Sequence, residues 1–286
     1  MIGTDPSVHF VSVANLPFGT EEINVAGGLN GDPIKVVKCR TSDIMVPAES
    51  EIIIEGEVLP GEFADEGPFG EFAGYMGPVA KKPVARITAI THRKDAIYYG
   101  YTSQMPPSES TVLQSMTNGP LVLKTLREDM GDKNVKDVHI DLTFGGLLAH
   151  CIVSMTPMHG GHAKKIGRLI ADMTPLKRVT VVNDDVDIRD PLHVEWAMNS
   201  HYHPARDTII IDDVFFPLGM DPSVRIDNKM QDMGSKVVID ATMTIDAGQY
   251  SLPPKDIMMK ALDLWKEVGL PDFDIPKRAQ FRIDRS

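Results

Sequence analysis

The chain has 286 residues, 42% of them apolar and 24% charged, the balance of a folded globular protein of one large or two ordinary domains. With 40 Asp and Glu against 29 Lys and Arg, the formal charge is −11, and no long basic run offers a track for phosphates, which argues against a nucleic-acid partner. No stretch reaches the roughly 20 apolar residues of a membrane span, and Met1 to Pro6 lack the basic end and apolar run of a leader, so a cytoplasmic protein is expected.

From Glu22 to about Thr102, short apolar runs separated by Gly, Pro and Asp predict strands at 22–28, 33–39, 51–58, 84–92 and 96–102, with turns at 31–33, 46–50 and 93–95. Strands without intervening helices indicate an antiparallel sheet or barrel. Five are few for a closed barrel, so this domain reads as incomplete upstream. At 108–130 the texture becomes helical: Ser110 to Leu113 open a helix, Asn118-Gly119-Pro120 interrupts it, and Leu121 to Met130 resume it as a linker. Beyond it, strand-like runs at Val138 to Leu142, His150 to Met155, Val179 to Asn183, Thr208 to Ile211 and Val237 to Asp240 alternate with helical segments near 161–173, 190–199 and 254–268. That is α/β wiring. The tail after Pro271 has little periodicity and reads as an extended or frayed arm. The expected organisation is a partial β domain at 1–107, the linker at 108–130 and an α/β domain at 131–286. Cys39 and Cys151 are too few and too far apart for a disulfide framework or zinc knuckle, and read as reduced, buried thiols.

The densest polar cluster is Glu62 to Glu71, with four acids in ten residues. Glu66 and Glu71 flank a turn-forming Gly-Pro-Phe-Gly that draws them together, and neighbouring carboxylates prepare one of the two to hold a proton. A solvated acidic loop is the plain alternative. Against it, Phe63, Phe69, Phe72 and Tyr75 interleave the acids, which suits a lined pocket. Met158-His159-Gly160-Gly161-His162 invites a metal reading, since His residues three apart can share a helix face, yet a structural role at a helix start is preferred for His162. Asn183 to Asp187 also resembles a divalent-metal site, but capping and turn formation explain it more simply.

Several blocks resemble the UbiD family of decarboxylases: Val46-Pro47-Ala48, Glu51-Ile52, Glu55-Gly56, Glu66-Gly67-Pro68-Phe69-Gly70-Glu71 and Gly74-Tyr75. The match continues in Gly27-Gly28-Leu29, Lys38-Cys39, Gly161-His162-Ala163-Lys164, Val181 to Asp187, Trp196-Ala197, Pro204 to Asp207, Gly234-Ser235-Lys236 and Asp240-Ala241-Thr242, in the family's order. The resemblance implies an α+β chain holding the C-terminal part of a split antiparallel β-barrel flavin-binding domain, a linker helix and an α/β oligomerisation domain. It implies reversible non-oxidative decarboxylation of an aromatic or α,β-unsaturated acid with prenylated FMN, Mn²⁺ and K⁺. Loss of CO₂ from an sp² carbon needs an electron sink, which the modified flavin supplies, and an acid that protonates the carbon. By position, Glu71 matches the proton donor and Glu66 its partner in a Glu-Arg-Glu network. Glu22 matches a carboxylate ligand of the divalent metal, with Glu21 the rival if the register slips by one. Ser12, Val13, Ala14 and Asn15 match the segment whose backbone meets the flavin and the monovalent cation. His159 stands where some members place a residue on a loop over the cofactor.

The resemblance also has gaps. The family's catalytic Arg and its Asn and His metal ligands belong to an upstream region without a counterpart here. A separate subunit, a misassigned start or cut chain, and a non-catalytic relative all remain open. Met105 occupies the Arg position of a common Gly-Arg-Pro-Pro, and Asn199-Ser200-His201 replaces a usual Thr-Arg pair, so substrate identity does not carry over. The expected protein is one subunit of a homo-oligomer, or of a hetero-oligomer with a chain carrying the other half, supplied with cofactor by a flavin prenyltransferase. A catalytically silent scaffold is the rival. A metal-dependent hydrolase built on the acidic loop and His159 has no nucleophile motif behind it.

Overall fold

Asp5 and Pro6 start the first helix of the computed structural model, which describes residues 1–144, 149–215, 223, 225–226, 229–230, 233–243, 251–271, 275 and 280. Helix α1 (Pro6–Ser12) is capped by Asp5, which accepts from the Ser7 N–H at 2.9 Å and the Ser7 hydroxyl at 2.6 Å. Those bonds hold the Asp5 carboxyl below its ordinary range. The strand expected from Glu22 is instead helix α2 (Glu22–Asn30). Its Ala26 is buried with Val8 and Val11 of α1, with Ile23 and Val25 packed alongside, so tertiary contact overrides a sequence rich in β-branched residues and glycine. Gly31, at φ +83, ends it in the left-handed conformation that glycine reaches without strain.

Two antiparallel pairs follow. Strands β1 (Val36–Lys38) and β2 (Met45–Pro47) pair Val37 with Val46, so part of the turn expected at 46–50 is strand. Strands β3 (Ile52–Glu66) and β4 (Ala80–His92) form a long ribbon running from the Ile52–His92 pair to the Glu66–Ala80 pair, with register shifts after Glu55 and Val58. Glu55 is buried and accepts from the Arg40 and Thr41 N–H groups and the Thr41 hydroxyl at 2.7 to 2.9 Å, fastening the β1–β2 connection to β3. The Thr41 hydroxyl and these amides hold the Glu55 carboxyl below its ordinary value. Residues 96–102, expected as a strand, are irregular: the Ile97 N–H donates to Glu51, and His9, Tyr99 and Tyr101 cluster with ring centroids 5.1 to 6.1 Å apart.

Helix α3 (Glu109–Lys124) runs straight through Pro120, where a break was expected, and passes into a π-helical turn at Thr125–Asp129. Its buried Thr111, Ser115, Asn118 and Val122 recur at helical spacing, so one small, largely polar face organises it. Thr117 and Asn118 return side-chain hydrogen bonds to the carbonyls of Leu113 and Gln114, in the turn before the proline.

The α/β part comprises β5 (Val135–Ile140), β6 (His150–Met155), α4 (His162–Met173), β7 (Arg178–Asn183), α5 (Pro191–Ser200), α6 (Pro204–Asp207), β8 (Thr208–Phe215), β9 (Arg225–Ile226), β10 (Lys229–Met230), β11 (Met233–Ala241) and α7 (Lys255–Glu267). Five strands form one sheet in the order β5-β6-β7-β11-β8, with β9 and β10 a separate short pair. Strands β7 and β11 are parallel, pairing Val179 with Val238. Every residue of β6 is buried, as a strand covered on both faces requires. Helix α4 turns Ala163, Ile166, Gly167 and Ile170 inward, and the Lys236 ammonium of β11 caps its end by donating to the carbonyls of Ala171 and Thr174, both at 2.6 Å. A second core joins Ile152, Val182 and Ile239 of the sheet to Val194 and Ala197 of α5.

The chain divides into two compact units, residues 1–122, 140–150 and 212–235 in one and the remainder in the other. Both cysteines are free thiols, Cys151 buried as expected and Cys39 only partly so, and burial pushes the Cys151 thiol far up. Among the described residues no helix is long and apolar enough to cross a membrane. The expected C-terminal arm lies almost entirely outside the described residues.

Candidate active site

Glu71 sits in a small hairpin between β3 and β4. Gly67, at φ +88, turns the chain out of β3. The Gly77 N–H donates to the Phe69 carbonyl, the Glu71 N–H to Tyr75 and the Gly74 N–H back to Glu71, each at 2.9 Å. Gly74 takes φ +88, the left-handed backbone this tight closure uses. Ala73 is buried beneath the turn, and the Glu71 side chain lies along Gly77, where a methyl group would meet its Cγ at 3.4 Å and Oε1 at 3.5 Å.

Glu71 is half-buried, whereas Glu66, at the end of β3, is exposed. The two glutamates therefore enter one hairpin in different environments. Among the described residues neither carboxylate makes an ion pair or a side-chain hydrogen bond. The adjacent acids differ: Asp65 pairs with Lys81 at 2.9 Å and Glu62 with Arg86 at 2.7 Å. Phe63, Phe69 and Tyr75 are exposed, so the aromatics expected to line a pocket present an open apolar surface in this chain.

Ser12 to Asn15 lie where α1 ends. Asn118 of α3 staples this stretch: its Oδ1 accepts from the Asn15 N–H at 3.1 Å and the Asn15 amide at 3.2 Å, and its Nδ2 donates to the Val13 carbonyl at 3.2 Å. The Ser12 hydroxyl donates to His9, and the Ala14 carbonyl accepts from Leu16. Sequence reading missed Asn118, because Asn-Gly-Pro signals a break; the clue was its spacing of three from Ser115 on one helical face.

Glu22 is the first residue of α2 and exposed, and Glu21, the N-cap residue, is exposed too. A carboxylate there complements the positive end of the helix and leaves hard oxygens free for a cation. Among the described residues no group of three or more His, Cys, Asp and Glu is placed to hold a metal, so Glu22 can supply only part of a ligand set.

His159 and His162 belong to the other unit. His162 is buried and donates from Nε2 to Asp132 at 2.6 Å, while its Nδ1 accepts from the Met158 N–H at 3.2 Å. Burial raises the Asp132 carboxyl, but hydrogen bonds from His162 and Asn134 outweigh it and hold Asp132 below its ordinary range. His162 is thus structural. His159 is exposed and stacks on it at 5.3 Å between centroids. The run from Asn183 at the end of β7 to Asp187 is engaged in structural bonds: Asn183 accepts from the Met243 N–H and Asp184 from the Thr156 hydroxyl, both distant in sequence, and Asp187 from the nearby Arg189 N–H.

Residues 1–106 match the 3-octaprenyl-4-hydroxybenzoate carboxy-lyase Rift-related domain of the UbiD family, and residues 111–241 match the C-terminal domain of the same carboxy-lyase. An uncharacterised protein of Archaeoglobus fulgidus is 35% identical over 246 residues, covering 84% of this chain and 49% of that one. The UbiD-class enzyme HmfF from Pelotomaculum thermopropionicum, solved in complex with FMN, superposes with a TM-score of 0.76 at 34% identity, over 91% of this chain and 57% of that one. An evolved dimeric form of HmfF in complex with prenylated FMN gives 0.73 at 34% identity, over 89% and 54%. Vanillic acid decarboxylase of Sedimentibacter hydroxybenzoicus, in closed form, gives 0.79 at 29% identity, over 94% and 57%. The chain spans about half the length of these relatives. With two consecutive domain matches that take in residues 1–106 and 111–241 and a backbone shared with solved UbiD-class enzymes, the chain belongs to the UbiD family.

Proposed function

We propose that this chain is the glutamate-bearing part of a reversible, non-oxidative carboxy-lyase acting on an aromatic or α,β-unsaturated carboxylic acid. The observation that carries the reading is the hairpin around Glu71: three 2.9 Å backbone bonds fix a half-buried carboxyl group with no ion pair or side-chain hydrogen bond among the described residues. A proton donor to carbon needs that combination of fixed position and freedom from a competing partner. Glu71 delivers the proton to the carbon that loses CO₂. Glu66, exposed five positions earlier, is its partner through a cation brought by another chain segment.

The cofactor is prenylated FMN with Mn²⁺ and K⁺, and when bound the flavin accepts the electron pair left by the departing CO₂. The donor chemistry fits these groups. Glu22 offers hard carboxylate oxygens to Mn²⁺, with Glu21 beside it. Helix α1 directs its negative end toward Ser12 to Asn15, where Asn118 fixes the backbone, an arrangement suited to flavin and a monovalent cation. His159 is assigned to the cofactor by its family position alone. The working protein is cytoplasmic and multi-subunit, a homo-oligomer or a hetero-oligomer with a chain that corresponds to the other half of the relatives; the Sedimentibacter relative has been solved with a truncated ShVdcD. The α/β part carries the oligomer contacts.

The test is co-production with a flavin prenyltransferase and a polypeptide corresponding to the other half of the relatives. A yellow, Mn²⁺-containing complex should exchange labelled CO₂ into a conjugated acid. Glu71→Gln should lower turnover by at least about 100-fold while keeping the flavin absorbance. Full activity in that variant rejects Glu71 as the acid. A flavin-free complex without exchange supports the rival, a silent scaffold subunit.

A further inference from the structure

Residues 103–107 pack on the hairpin that carries Glu71. A methyl group at Gly70 would meet Gln104 Cγ at 3.1 Å and its Nε2 at 3.2 Å; one at Gly74 would meet the Met105 sulfur at 2.9 Å and the Pro106 ring at 3.1 Å. These two glycines bracket Glu71, Gly70 preceding it and Gly74 closing its turn. Their missing side chains let a second stretch of backbone lie against the hairpin.

That stretch is anchored from the other side. The Thr102 N–H donates to Glu109 at 3.1 Å, and the hydroxyls of Ser103 and Ser110 bond at 2.8 Å, tying it to the start of α3. Yet Met105 is 70% exposed. Core packing does not account for a large apolar side chain that is held in place by its neighbours and left open.

Resting on the decarboxylase reading above, we propose that Met105 is a specificity-determining wall of the substrate site beside Glu71, admitting acids with an apolar ring or chain and rejecting those with a second carboxylate. A thioether adapts its shape and meets aromatic edges favourably. It offers no charge to a second carboxylate. The ionisable side chains of the hairpin itself, Glu66 and Glu71, are acids; on the adjoining strand Lys81 is engaged by Asp65 and Arg86 by Glu62, and Lys82 lies opposite Ala64. A second carboxylate lodged against Met105 would therefore lose hydration without gaining a counter-ion from that side chain, a penalty that discriminates as an attractive contact does.

The experiment compares wild type, Met105→Arg and Met105→Leu in the assembled, flavin-loaded enzyme with benzoate, cinnamate and terephthalate. Met105→Arg should raise kcat/KM for terephthalate relative to benzoate by at least about tenfold, mainly through KM, while Met105→Leu keeps the wild-type order. An unchanged ratio in Met105→Arg overturns the proposal. A second readout needs no turnover: with ¹³C-methyl methionine, the signal missing from Met105→Leu identifies Met105, and cinnamate should shift it in wild type and in Glu71→Gln. Turnover with an unmoved Met105 signal removes the wall and leaves the decarboxylase. A moved signal without turnover of any acid keeps the wall and removes the decarboxylase, and neither result rejects both.

Discussion

His162 is locked in one tautomer by its two neighbours. Because Nδ1 accepts from the Met158 N–H, the proton resides on Nε2 and is donated to Asp132. Removing the acceptor leaves a buried N–H without a partner, so Asp132→Ala should cost about 1 to 3 kcal/mol in urea unfolding. The pH dependence has a definite sign. Asp132 is held below its ordinary value in the folded state, so its contribution is complete above the ordinary carboxylate range and is lost as pH falls through the lowered value. The stability gap between wild type and Asp132→Ala should therefore narrow in acid; a constant gap contradicts this account. At this scale the turn around Glu71 was legible, because acids, glycines and aromatics crowd it. It concealed Asp132 and Asn118, whose partners lie 30 and 103 residues away.

Helix α4 and strand β11 show what fixes an element. Gly167 faces Val238 so closely that an added methyl would overlap its Cγ1, and Gly167→Ala should destabilise by about 1 to 3 kcal/mol through overpacking. Lys236→Met should remove the two hydrogen bonds that close α4, at about 1.5 to 3 kcal/mol, read as faster amide exchange in the last turn of the helix. Helices α4 and α5 and strands β6 and β7 were legible, since their apolar spacing or unbroken apolar runs agree with their burial; helix α7 was legible from its spacing alone, as none of its residues is buried. Helix α2 was not. Its β-branched residues favour a strand and its glycines weaken a helix locally, and contact with Val8 and Val11 decides otherwise. The overlooked signals were Glu21-Glu22 at its start and Asn30-Gly31 at its end. The run at 96–102 erred the other way: despite strand-like composition it is irregular, with the Ile97 N–H given to Glu51 and the rings of Tyr99 and Tyr101 packed on one another.

For the whole molecule, the β3–β4 ribbon has one largely apolar face. Ile54 lies opposite Ile90 and Val58 opposite Ala85, and Ile54, Val58, Ile87 and Ile90 are all exposed. A two-stranded ribbon is marginal in water, and an apolar patch of this kind favours association. Native mass spectrometry of the protein purified from its host should therefore show a particle heavier than one 31.5 kDa chain; a lone monomer would contradict the expectation of a partner.

The strand order of the five-stranded sheet has a consequence for synthesis. Strand β11, formed by residues 233–241, lies between β7 and β8, both of which leave the ribosome earlier. Until it emerges, the nascent chain holds an open β7 edge, an uncapped α4 and a β8 with nowhere to dock, the circumstances in which edge pairing between chains competes with correct folding. Messages truncated before codon 233 should yield protein that is aggregated or degraded, and chaperone occupancy on translating ribosomes should fall only after that point.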